Sequence, residues 1–226
     1  RWLDMDLWDA CGSEPVDEEA MAGQECFGAI DLASTLDVAA FAGLFPPTVD
    51  DFYRLLLRFW VPEAACRQRE RRNRVRLDEW VRLGLIKKTQ GATIDYAVIR
   101  QDINDFHKVY SIRELAIDKW NSTQLATELL GDGLVVVGFG QGYASMTAPT
   151  KELEALVVSG RLLHGGNPVI RWMASNVSVD QDPAGNYKPN KEKSIEKIDG
   201  IVAAIMALGR AMLYPVVPTS ATTEVW

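Results

Sequence analysis

Three aspartates sit at the ends of three well-separated elements, each on or beside an apolar run: Cys26-Phe27-Gly28-Ala29-Ile30-Asp31, Leu115-Ala116-Ile117-Asp118 and Lys197-Ile198-Asp199-Gly200. A lone charge beside apolar residues is costly unless a metal or another cation offsets it. Each aspartate has a plain alternative: a strand-end or cap residue for Asp31 and Asp118, a salt bridge to a lysine or arginine for Asp199. Taken together they read as one shared metal site. Oxygen-only donors select a hard cation such as Mg²⁺ or Mn²⁺, and there is no Cys/His cluster to favour zinc. Two such ions, roughly 3.5 to 4 Å apart, would activate water and stabilise the leaving oxygen in phosphodiester cleavage.

Basic residues gather in two places. Lys188, Lys191, Lys193 and Lys197 lead up to Asp199, and Arg67, Arg69, Arg71, Arg72, Arg74 and Arg76 form a run. Lys191, Lys193 and Lys197 are candidates to bind a scissile phosphate or to neutralise the carboxylates. Arg72, within its run, is a further DNA-binding candidate through counterion release, with a solvated helix face as the alternative. Trp120 reads as packing under its strand. His107 and His164 have no ligand-like neighbours and are expected to be structural or on the surface.

The elements that must position these residues follow from periodicity. Residues 26–32 read as a strand with Phe27, Ala29 and Asp31 on one face and Gly28, Ile30 and Leu32 on the other. Residues 37–44 form its hairpin partner and 52–60 a third strand. Pro62 opens one or more polar helices ending at Gly84, and residues 96–110 have near-helical apolar spacing. Residues 113–118 make a fourth strand, followed by a helix that Asn121 or Ser122 caps and that ends near Gly131. Residues 134–138 read as a strand buried on both faces, residues 150–159 as a helix, 165–168 as a loop and 180–189 as a hairpin. A last helix over 194–213 places Asp199 on an apolar stripe with Ile195, Ile198, Val202, Ile205, Met206 and Leu208. Antiparallel strands first and alternating strands and helices afterwards imply an α/β fold with a mixed sheet.

The 226 residues, 47% of them hydrophobic, suit one domain with a substantial core. No apolar stretch is long enough to span a bilayer, so a membrane partner is not expected. Three cysteines without CxxC spacing point to a reducing compartment rather than to a disulfide framework. The net charge of −7 is uneven: residues 1–25 hold eight acids and one base, leaving 23 of each sign in residues 26–226. A polyanionic partner is therefore allowed. The acidic start, with no initial methionine, reads as a linker or extension (1–25) on a piece of a longer chain. It precedes a domain at 26–213 and a tail at 214–226.

Residues 26–37, 117–125, the His164-Gly165-Gly166-Asn167-Pro168 segment and the Lys191-Glu192-Lys193-Ser194 and Lys197-Ile198-Asp199-Gly200 pieces resemble, in order, the nuclease half of tailed-phage terminase large subunits. The resemblance implies an RNase H-like (resolvase/integrase-like) mixed β-sheet flanked by helices. It also implies a metal-dependent endonuclease that cuts concatemeric DNA during genome packaging in the host cell cytoplasm. By position, Asp31, Asp118 and Asp199 match the family's acidic triad and Asp37 a frequent auxiliary acid. Implied partners are double-stranded DNA, the terminase ATPase domain, the small terminase subunit and the portal. No GxxxxGK[ST] pattern occurs, so the packaging motor's own ATPase is not expected in this chain. Two alternatives stand beside this reading. One takes Ile30 to Thr35 as the phosphate loop of a sugar-kinase or actin-like ATP-binding fold, and the other takes the chain as a non-catalytic docking module.

Overall fold

The computed structural model describes residues 2–32, 37–70, 77–118 and 123–214, with the backbone alone at 67–70. In chain order its elements begin with α1 (Met5–Cys11), β1 (Glu25–Asp31), β2 (Ala39–Phe45), β3 (Tyr53–Pro62), α2 (Glu63–Glu70), α3 (Leu77–Arg82), β4 (Lys87–Thr89) and α4 (Tyr96–Val109). They continue with β5 (Ser111–Asp118), α5 (Thr123–Gly131), β6 (Val136–Phe139), α6 (Tyr143–Val158), β7 (Leu162–Leu163), α7 (Pro168–Asn176), β8 (Val179–Gln181), β9 (Tyr187–Pro189) and α8 (Asp199–Ala211).

The main sheet runs β4-β3-β2-β1-β5-β6, with β7 also pairing β3. β1, β2 and β3 form an antiparallel meander. β5 lies parallel to β1 and β6 parallel to β5, the second pair joined through α5, the kind of crossover that parallel strands require. Alternation along β1 sends Phe27 and Ala29 to one face, where residues of α1, α6, α7 and α8 complete the core. Cys26 and Ile30 go to the other face, with residues of α4 and α5. The mixed sheet flanked by helices is the architecture expected from the sequence.

Several boundaries differ, each for a local reason. The 134–138 strand is not buried on both faces: β6 is the last strand of the sheet, Gly138 is exposed, and Val136 and Val137 are only half-buried. The helix expected at 150–159 begins at Tyr143, because Pro149 does not start it but sits inside it, buried. The loop expected at 165–168 ends in α7, with Pro168 in its first turn and the Asn167 side chain accepting from the Val169 amide at 2.8 Å. The last helix begins at Asp199, not Ser194. The Ser194 hydroxyl donates to Asn190 O at 2.6 Å and accepts from Ser178 N at 3.0 Å, which holds this segment in a turn ahead of the helix. Ile195 is consequently 81% exposed rather than part of a buried stripe. The helix caps proposed at Asn121 and Ser122, and Trp120, lie outside the described residues.

The α8 helix carries Asp199 and is buried along almost its whole length, 11 of its 13 residues. A helix apolar on every side belongs between two layers, and α8 lies between the sheet and helices α6 and α7. Its ends are tied by charge. Arg210 Nε donates to Glu114 Oε2 of β5 at 2.7 Å, and Tyr214, just past α8, donates to the other Glu114 oxygen at 2.7 Å. At the start, Gly200 permits a close approach: a Cβ there would lie 2.8 Å from Ile170 Cδ1, 2.9 Å from Phe59 Cε1 and 3.0 Å from Met173 Sδ.

Residues 1–25, expected as a linker or extension, contribute to the core. Leu3, Met5, Trp8 and Cys11 are buried in the cluster beneath α8, and Asp4 caps α1 by accepting from the amides of Asp6 and Leu7. The Trp8 ring stacks on His164 with centroids 4.3 Å apart. His164 Nδ1 accepts from the Gly166 amide at 3.3 Å, which leaves Nε2 protonated to donate to Trp8 O at 2.8 Å. Burial of this neutral ring lowers its pKa below the usual 6.5, outweighing the raising effect of the Trp8 carbonyl.

Gly200→Ala forces the start of α8 away from Phe59 and costs about 1–3 kcal/mol in urea unfolding; an unchanged midpoint would contradict the close approach. Below about pH 6.5 the unfolded chain takes up a proton that folded His164 resists, so stability falls as pH drops from that value through the lowered folded pKa. Urea midpoints measured between pH 7.5 and 5.5 should therefore decline more steeply for the wild type than for His164→Gln, and parallel curves would refute the assignment.

Candidate metal centre

Asp31 is the last residue of β1 and Asp199 the first of α8, 1% and 3% exposed. The α8 N-terminus sits by the end of β1, so two residues far apart in sequence are buried as neighbours. Between them lies the Lys191 ammonium. Its Nζ is 2.8 Å from Asp31 Oδ1, 2.6 Å from Asp31 Oδ2 and 3.2 Å from Asp199 Oδ1. The Oδ1 contact has hydrogen-bond geometry, whereas the shorter approach to Oδ2 is an ionic contact without it. Asp31 Oδ1 also accepts from Gln141 Nε2 at 3.0 Å.

The electrostatics follow from burial. Desolvation, then the nearby charge of Asp31, pushes the Asp199 carboxyl up to about 7, against the opposing pull of Lys191 and Lys197. Asp199 stands in the first turn of its own helix, where the dipole favours a negative charge; that contribution does not overcome burial beside a second carboxylate. Burial alone would lower the Lys191 pKa, but Asp31 and Asp199 together hold it above its ordinary value. Asp199 Oδ2 is buried without a hydrogen-bond donor. An anionic oxygen left without a donor beside a second buried carboxylate suits a hard divalent cation, so this donor set fits Mg²⁺ or Mn²⁺.

Asp118 approaches from the adjacent strand. The register pairs Ile30 with Ile117, which puts Asp31 and Asp118 one position beyond the last paired residues of neighbouring strands. Ala29 and Ala116 both belong to the core on the α8 side, so Asp31 and Asp118, two positions along, share that face. Asp118 is half-buried. Among the described residues no three Asp, Glu, His or Cys side chains converge into a metal-holding group. The arrangement thus unites Asp31 and Asp199 directly and places Asp118 alongside by register.

The other candidates have separate partners. Asp37, just ahead of β2, forms an ion pair with Lys197. Lys193 pairs with Asp180 of β8. Of the three candidate lysines only Lys191 reaches the buried carboxylates. Arg72 falls outside the described residues. Gln141 was not anticipated; its one signal is a polar residue between two glycines, Gly140 and Gly142, just past the end of β6. A cavity of about 370 Å³ lies beside Lys191 and is lined by Gln141, Asp180, Lys188, Asn190 and Glu192. A larger recess of about 870 Å³ is lined by Trp60, Lys87, Asp102 and Tyr110. Neither cavity has any of the three aspartates in its wall; the smaller one adjoins the carboxylates through Lys191 and Gln141, both of which bond Asp31.

Comparisons with known proteins agree with this architecture. A family model described as "Terminase large subunit, endonuclease domain" matches residues 1–214. Protein YmfN of Escherichia coli is 38% identical over 216 residues, covering 92% of this chain and 48% of that protein. The terminase large subunit of Enterobacteria phage HK97 is 31% identical over 212 residues, covering 93% of this chain and 41% of that protein. Its crystal structure superimposes with a TM-score of 0.84, over 92% of this chain and 43% of that one. The chain thus spans about half the length of the curated relatives it matches. The large terminase nuclease of thermophilic phage G20c with bound magnesium shares the fold at 10% identity, with a TM-score of 0.57 over 90% of this chain and 96% of that one. With a family match over residues 1–214 and relatives above 30% identity over more than nine-tenths of its length, the chain belongs to the terminase large subunit endonuclease domain family.

Proposed function

We propose that the chain is a metal-dependent endodeoxyribonuclease that cuts concatemeric phage DNA during genome packaging, with Asp31, Asp118 and Asp199 as its catalytic, metal-binding carboxylates. The observation that carries the reading is the burial of Asp31 and Asp199 against each other, one oxygen of Asp199 lacking any hydrogen-bond donor. Carboxylates held this way are stable only with cationic compensation. Two Mg²⁺ or Mn²⁺ ions bound there would supply Lewis-acid activation of water and charge neutralisation at the phosphodiester. The magnesium-bound G20c nuclease, of the same fold, supports divalent metal use.

The chain's own residues have distinct parts in this reading. Gln141 holds Asp31 in orientation through Oδ1. Gly200 lets Asp199 sit close to the sheet. Asp118 adds a third carboxylate from the parallel neighbour of β1, and Asp37 serves as an auxiliary acid beside Lys197. Lys191, Lys193 and Lys197 contact the DNA backbone once they exchange their present aspartate partners for phosphates, and Arg72 extends that contact. Because the main body of the chain is neutral, its electrostatic grip on DNA is modest. Firm engagement then depends on the partners of the full motor: the ATPase domain, the small terminase subunit and the portal, acting in the host cytoplasm. No described helix is long and apolar enough to cross a membrane. A sugar-kinase or actin-like function is not favoured, since the family and the similar structures are terminase nucleases.

The test is plasmid nicking in Mg²⁺ and in Mn²⁺. Asp31→Asn, Asp118→Asn and Asp199→Asn should each lose about a hundredfold or more of the rate, with circular dichroism unchanged. A variant that keeps full activity removes its residue from the site, and a wild-type chain inactive in both metals would favour the docking-module reading.

A further inference from the structure

We infer that Lys191 is a built-in counter-ion that holds the cation position between Asp31 and Asp199 and has to leave it before a divalent ion binds there. The inference rests on the metal reading above. The Lys191 ammonium touches carboxylates from two different elements at 2.6 to 3.2 Å, which is where a cation shared by those carboxylates would also lie. Two cations cannot occupy one such position, because like charges a few ångströms apart in a buried setting repel strongly. Lysine and metal are therefore competitors.

The segment around Lys191 is built to deliver the ammonium and also to let it go. Asn190 Oδ1 accepts from the amides of Glu192 and Lys193 at 2.8 and 3.0 Å. Asn190 Nδ2 and Lys193 Nζ both bond Asp180 of β8. Ser194 ties the end of the turn to Asn190 and Ser178. The backbone at 190–194 is thus anchored to the β8–β9 hairpin, so withdrawal of the ammonium needs rotation of the Lys191 side chain only. That side chain is 40% exposed as a whole, although its ammonium lies against two nearly inaccessible carboxylates. The adjoining cavity of about 370 Å³, with Asp180 and Glu192 in its wall, offers room and acceptors for the displaced ammonium. Lys197 does not take over the vacated position, being paired with Asp37.

Without metal, then, Lys191 offsets the repulsion between Asp31 and Asp199. With metal, it becomes a mobile cation at the rim of the site, free for a substrate phosphate. A lysine bound to the carboxylates in this way weakens metal binding by the cost of its own displacement.

Calorimetric titration of Mn²⁺ into the 226-residue chain and its Lys191→Met variant tests the inference through affinity rather than turnover. Removing the competitor should tighten Mn²⁺ binding by about tenfold or more. Equal or weaker affinity in the variant overturns the inference alone, whereas absence of Mn²⁺ binding to both proteins overturns the metal reading with it. Should Lys191→Met fail to fold, the wild type supplies a second readout. The acetylation rate of Lys191 by an amine-reactive reagent, followed by peptide mass spectrometry, should rise when Mg²⁺ is added, and an unchanged or slower rate overturns the inference.

Discussion

Burying two carboxylates within reach of one another is the constraint on which the rest of the molecule depends. Each would be costly in isolation, and together they repel, so the surrounding chain must supply positive charge, hydrogen-bond donors and rigidity at one point. The β1 strand and the α8 helix bring the carboxylates together, Lys191 provides the charge, and Gln141 provides a directed donor. These groups come from four separate segments. Holding them to within hydrogen-bonding tolerance explains why so much of the fold is arranged around α8.

The α8 helix is pinned at both ends by ionic contacts and buried between them. At its start Asp199 faces Lys191; at its end Arg210 meets Glu114 of β5, with Tyr214 completing the carboxylate's shell. Along the middle, Ala203, Ala204 and Ala207 are fully buried and small enough to let the helix lie close to its neighbours. A shift of α8 along its axis would break the interactions at both ends together. Such coupling suits a site in which a displacement of about 1 Å can be expensive for catalysis. The N-terminal helix adds stiffness from behind, through Trp8 on His164 and through the apolar residues it places in the same core.

Much of this was legible in the sequence where local pattern and tertiary role coincide. Alternation in Phe27 to Asp31 gave the faces of β1, and the antiparallel meander followed by parallel strands could be read from the order of elements. Asp31 and Asp199 stood out because a charge on or beside an apolar run conflicts with its surroundings, and such conflicts gather at functional sites. What escaped notice depended on distant partners. Gln141 matters only because it reaches Asp31 across the neighbouring strand. Pro149 lies inside a helix that tertiary packing sustains, and Ser194 ties down a hairpin instead of starting the last helix. The acidic residues at the start obscured Leu3 and, on a helix of only seven residues, Met5, Trp8 and Cys11, whose apolar side chains face the core. The pairings of Lys193 with Asp180 and of Lys197 with Asp37 are likewise invisible without the fold.

The measurement that bears most directly on the central claim is anomalous diffraction from crystals of the chain soaked in Mn²⁺. The account predicts an anomalous peak coordinated by Asp31 and Asp199, with Asp118 at its edge and the Lys191 ammonium withdrawn from between the carboxylates. A peak elsewhere in the molecule, with Lys191 still bridging Asp31 and Asp199, would contradict it.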